Sequence, residues 1–196
     1  MKKKTFIIAL CLALVVAFAA GGAIAWLTDT TETVENTFTV GNVKLDLYEH
    51  DAADNNKEVK ALSFKMIPGT TAAKDPTVEV QKGSEECYVF VKITEENNTL
   101  SNSRGKFVDY TVANTWTALD GVPGVYYYNT TVTATDADVP LKVLVNDTVS
   151  FNEDIEQSDM DAITADTTKA PKLNFVAYAV QAEGSKDAAE AWAKIG

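Results

Sequence analysis

Histidine is almost missing from this 196-residue chain, where His50 is the only one. A zinc peptidase needs at least two nitrogen ligands and a general base, usually from a His-Glu-x-x-His helix. One histidine cannot supply that. A Ser-His-Asp or Cys-His system would have to use the same His50, and no Gly-x-Ser-x-Gly elbow accompanies it. His50 follows a strand pattern in the polar stretch "YEHDAADNN" and reads as a solvated loop histidine. The chain is therefore not expected to be an enzyme.

Cysteine is nearly as scarce. Cys11 lies in the apolar N-terminal run, with Leu10 where a lipoprotein signal wants a small residue. Once that run is removed, Cys87 stands alone and no intramolecular disulfide can form. It sits in "CYVFVKI", in phase with Val89, Val91 and Ile93, and so reads as a small buried hydrophobe. Basic residues are also few, 17 against 28 acids, for a net charge of −11. Such a surface repels nucleic acid and anionic lipid, and neither is expected as a partner.

The N-terminus holds what the chain has in plenty. Lys2, Lys3 and Lys4 precede an apolar run from Phe6 to Ala20, and Ala23-Ile24-Ala25 gives a small-x-small exit before Trp26. This is the pattern of a cleaved signal peptide over residues 1–25, with Ala23, Ala25 and Trp26 at the cleavage site. The competing reading is an uncleaved anchor, since ~20 apolar residues can span a bilayer. Cleavage would remove three lysines and no acid, taking the net charge from −11 to −14.

Beyond that point, period-2 alternation dominates. Val43, Leu45 and Leu47 form one alternating run, and Leu62, Phe64 and Met66 another before the turn pair Pro68-Gly69. Further runs cover Val78–Val80, Cys87–Ile93, Val108–Trp116, Tyr126–Val132, Val139–Val145, Val149–Phe151 and "KLNFVAYAV". Nine or ten short strands separated by Gly, Pro, Asn or Asp predict an all-β, jelly-roll-like antiparallel β-sandwich. "EDIEQSDMDAITA" reads as a short helix or a loop. "SKDAAEAWAKIG" predicts a C-terminal helix N-capped by Ser185, with Trp192 and Ile195 on its docking edge. One domain, residues 42–196, follows.

Other features point to packing more than to chemistry. The acids of "EHDAADN" (Glu49, Asp51, Asp54), "TDADVP" (Asp136, Asp138) and "FNEDIEQSDMD" (Glu153 to Asp161) read as solvated loops. Calcium is the one ion whose oxygen ligands they could supply, but they lack EF-hand spacing, and no cofactor is expected. In "VYYYN", alternation sends Tyr127 to one face and Tyr126 and Tyr128 to the other, which suits a packed strand better than a sugar-stacking strip. The three Asn-x-Thr matches at Asn97, Asn129 and Asn146 carry no weight in Asn/Thr-rich loops.

The N-terminal stretch also holds a phase change. Phe38 and Val40 share one phase, Val43, Leu45 and Leu47 the other, and Gly41-Asn42 lies between. One account is a single bent strand. The other separates residues 26–41 as a strand-forming tail that adds to another subunit's open edge, a contact that propagates head to tail.

Three blocks resemble the TasA/camelysin family of secreted proteins of Gram-positive bacteria. They are "GGAIAWLTDTTETVENTFTVGNVKLDL", "IPGTTAAKDPTVEVQKGSEECYVFVKI" and the tail "FVAYAVQAEGSKDAAEAWA". The resemblance implies a signal handled by a SipW-type signal peptidase and a jelly-roll subunit, or accessory protein, of extracellular biofilm-matrix fibres. It implies self-association in which Trp26–Gly41 is the donor segment, with Thr37, Phe38, Thr39, Val40 and Gly41 at the interface. After cleavage no membrane association is implied. Some family members carry a metallopeptidase label, which the single His50 does not support. A monomeric surface module for carbohydrate or cations is the remaining alternative.

Overall fold

The computed structural model describes residues 42–51 and 54–195. The expected cleavage residues Ala23, Ala25 and Trp26, and the expected donor residues Thr37 to Gly41, lie outside the described residues.

The described residues are all-β, with every strand pair among them antiparallel and two short α-helices. A four-stranded sheet has the order β10-β4-β1-β2: Val139–Lys142, Thr77–Val80, Leu45–Asp51 and Lys57–Val59. A second sheet runs β12-β5-β8-β7: Lys172–Gln181, Ser84–Glu96, Val125–Tyr128 and Trp116–Ala118. Strand β9, Val132–Ala134, also pairs with β5. A third, small sheet joins β3 (Thr71–Ala73), β11 (Thr148–Phe151) and β6 (Val108–Asp109). Side chains from all three sheets meet in one core, which gives the chain a sandwich-like packing.

Alternation explains most of this. In β5, Cys87, Val89, Val91 and Ile93 point into the main core, and Cys87 is fully buried as its phase requires. On the other face Phe90 enters a second cluster with Val125 and Val180. Strand β12 pairs with β5 from Lys172↔Glu96 to Gln181↔Cys87, the longest ladder among the described residues. Tyr126 and Tyr128 turn to the main core and Tyr127 to the second cluster, so the triple tyrosine is a packed strand. Pro140 is placed in β10 at a sheet edge, where its missing N–H breaks no ladder.

Several expectations need correction. Leu62, Phe64 and Met66 alternate, yet residues 61–67 form no strand, because no strand among the described residues supplies backbone partners. Of the two readings of "EDIEQSDMDAITA", the helix holds: α1 spans Gln157–Ala165, with a Glu156/Asp159 capping box. The C-terminal helix α2 is shorter than expected, Ala188–Trp192, and Asp187 caps it in place of Ser185 by accepting the Glu190 N–H at 2.9 Å. Trp192 does dock as its spacing predicts, with ring centroids 5.2 Å from Phe90 and 5.3 Å from Tyr178.

A strand-edged groove as the candidate functional site

Strand β1 has two edges, and they differ. Lys44 O accepts from Gln81 N–H, and His50 N–H donates to Asp75, so even-numbered residues face the β4 side. The backbone groups of Leu45, Leu47 and Glu49 therefore point the other way. On that side β2 pairs only from Glu49↔Val59 to Asp51↔Lys57. Leu45 and Leu47 are left with no strand beside them among the described residues. Among the described residues, strand β12 is likewise an edge, paired with β5 alone.

Between these two edges opens a groove of about 720 Å³. It is lined by Leu47 to Glu49 on β1 and Lys172 to Val176 on β12, by Val149, Phe151 and the α1 residues Met160 and Ile163, and by residues of the irregular segment 60–66. Most of the lining is apolar. Helix α1 is held against this end by Arg104, which bonds both Asp159 oxygens at 3.0 and 2.9 Å and the Asp154 carbonyl. Phe64 and Ile67, both within the strandless stretch 61–67, are among the exposed large hydrophobes.

One polar pair interrupts the apolar wall. Lys74 Nζ donates to Glu49 Oε1 at 2.7 Å, with only 9% and 11% of the side chains exposed. The same ammonium lies 5.5 Å from the Phe64 ring centroid and 5.1 Å from that of Phe175, both cation–π distances. Glu49 Oε2 is buried and has no hydrogen-bond partner among the described residues. Glu49 was expected in a solvated acidic loop. It continues instead the inward phase of Leu45 and Leu47, which is why it is buried and needs Lys74.

His50 is also not a loop residue. It occupies β1, and its Nδ1 lies 2.6 Å from Asp75 Oδ2 while its N–H donates to Asp75 Oδ1 at 2.8 Å. Lys142 Nζ bonds the same carboxylate at 3.1 Å and also pairs with Asp147. Burial pushes the Asp75 carboxyl up, but the His50 backbone and ring bonds and Lys142 outweigh it, leaving it below its ordinary value. This is a clasp between β1, the β4 approach and β10. The remaining acids are dispersed as well: Asp138 caps the Lys82 N–H, and Asp159 holds Arg104. Among the described residues, no three His, Cys, Asp or Glu side chains converge as a metal site.

Sequence reasoning missed the groove's chemistry. The Glu49 phase was readable, but its partner Lys74 lies 25 positions away and the pairing depends on the fold. Cys87 takes no part: it is fully buried, its thiol pushed up to about 12 by burial and by Glu86. No protein-family model, no curated protein and no solved structure matches the chain.

Proposed function

We propose that this chain is a secreted structural subunit, or an accessory protein, of extracellular biofilm-matrix or cell-surface fibres. In this reading the domain is a jelly roll, and cleavage after Ala25 frees Trp26–Gly41. That segment then seats as a strand in the groove of the next copy. The observation that carries the reading is the groove itself, an apolar trough between β1 and β12, where among the described residues no strand pairs with β1 at Leu45 and Leu47 or with the outer edge of β12.

Physical chemistry favours a strand there. An open edge presents unsatisfied N–H and C=O groups, and an added strand supplies both partners while its alternate side chains fill pockets. The donor segment has the complementary pattern, with Phe38 and Val40 in one phase and Thr37 and Thr39 in the other. Asn42 O accepts from Glu85 N–H, and Lys44 N–H donates to Ser84 Oγ, so the chain entering β1 is already tied to its own domain. A donor segment that seats in another copy makes a head-to-tail contact that does not close.

Electron microscopy of the chain beginning at Trp26, beside the chain beginning at Gly41, tests this. Filaments from the first and none from the second are expected. Filaments from both, or from neither at high concentration, would overturn the proposal.

A further inference from the structure

Leu47 is the point on the β1 edge where an added strand must first compete. Its backbone groups face the groove side, and both are already occupied by side chains. Leu47 N–H donates to Asp46 Oδ1 at 2.7 Å, and Leu47 O accepts from Lys60 Nζ at 2.8 Å. Lys60 and Asp46 also pair directly with each other. These three bonds close a ring over one residue.

The ring lies immediately past the end of a strand. β2 pairs with β1 as far as Val59↔Glu49, and the chain then bends away at Lys60. The Lys60 side chain continues where the β2 backbone stops, reaching the next outward-facing residue of β1. A lysine head on an exposed edge is a common device against strand pairing. Here it makes a directed bond to the Leu47 carbonyl, one of those an added strand would use.

We infer that Lys60 and Asp46 form a displaceable clasp on the acceptor edge, an autoinhibitory contact that the incoming strand must exchange for its own bonds. This rests on the strand-acceptor reading of the groove and adds its regulation. The partner is the extended backbone of a second copy. Its N–H replaces Lys60 at Leu47 O, and its C=O replaces Asp46 at Leu47 N–H, so the number of backbone bonds satisfied is kept. The released ammonium and carboxylate return to water. Exchange is feasible because Lys60 is 48% exposed and Asp46 25% exposed, and an ion pair so placed contributes little net stability.

The test compares filament growth, by light scattering, of the chain beginning at Trp26 in its natural form and as Lys60→Gln and Lys60→Arg. Folding of each is checked by circular dichroism. Lys60→Gln is expected to speed growth about three- to five-fold, the gain from losing one exposed charged contact. Lys60→Arg, which keeps the charge and the donors, should stay near the natural rate. Added salt should accelerate the natural chain more than Lys60→Gln, since only the former has the pair to screen. Equal rates for all three chains, or equal salt responses, would overturn the clasp while leaving the fibre reading intact. Absence of filaments from every chain would overturn both.

Discussion

Lys74 Nζ and Glu49 Oε1 lie 2.7 Å apart at the wall of the groove, and each side chain is about nine-tenths buried. An ion pair in that position is costly to break and contributes little as a whole, because desolvation cancels most of the attraction. Lys74→Met strands the Glu49 carboxylate and is expected to lower stability by about 3–5 kcal/mol. The double variant Lys74→Met/Glu49→Leu should recover most of that loss. Urea unfolding of the three chains decides it. A double variant no better than the single one would show that the pair does more than satisfy itself.

Gly124 has φ +77°, and a Cβ there would sit 2.6 Å from the Ile93 carbonyl oxygen, which belongs to β5. The Gly124 carbonyl of the same loop accepts from Ile93 N–H at 2.8 Å, so the loop cannot move aside without breaking that bond. Gly83 has a similar φ of +83° and nothing within 4 Å. Gly83→Ala should therefore cost only the left-handed penalty of about 1–2 kcal/mol. Gly124→Ala should cost clearly more. Equal unfolding midpoints for the two variants would contradict the close approach.

Cys87 is fully buried, with its thiol pushed up to about 12 and its Sγ 3.4 Å from the Val132 carbonyl. Only the thiolate reacts with alkylating reagents. Mass spectrometry after iodoacetamide treatment near pH 8 should find Cys87 unmodified in the folded chain and fully modified in denaturant. Rapid native labelling would contradict its place in the core.

Asp75 gives stability a definite acid dependence. Its carboxyl is held below the ordinary 3.8 despite burial, by the two His50 bonds and Lys142. A lowered carboxylate contributes fully above its unfolded value and loses that contribution as pH falls through its folded value. Stability should thus drop below about pH 4, and Asp75→Asn should lie lower at neutral pH with a shallower drop. Glu95, also lowered despite burial by Lys106, Asn98 and Tyr110, gives a parallel loss, so the slope is reduced and not abolished. Denaturant midpoints measured between neutral and acid pH check this. Parallel curves for the two chains would contradict it.

How much of this was legible in the sequence depends on where the cause lies. β5 and β12 announce themselves, because burial on both faces demands unbroken runs such as "CYVFVKI" and "KLNFVAYAV". The tyrosine faces follow from period 2 alone. Leu62, Phe64 and Met66 mislead for a physical reason: alternation describes a strand only when a neighbour completes its backbone bonds. Lys60, Lys74 and Asp75 carry no local signal at all. Each is defined by a partner 13 to 25 residues away, Leu47, Glu49 and His50, which only the pairing of β1 with its neighbours brings near.

The central claim is that one copy's N-terminal segment occupies another copy's groove, and a mixing experiment isolates the two halves. A chain beginning at Trp26 with Leu173→Lys keeps the donor but places a charge in the groove wall. A chain beginning at Gly41 keeps the groove but lacks the donor. Analytical ultracentrifugation should find each alone as a monomer, and the mixture as a one-to-one dimer that grows no further. A mixture that stays monomeric, with both chains folded by circular dichroism, would contradict the account.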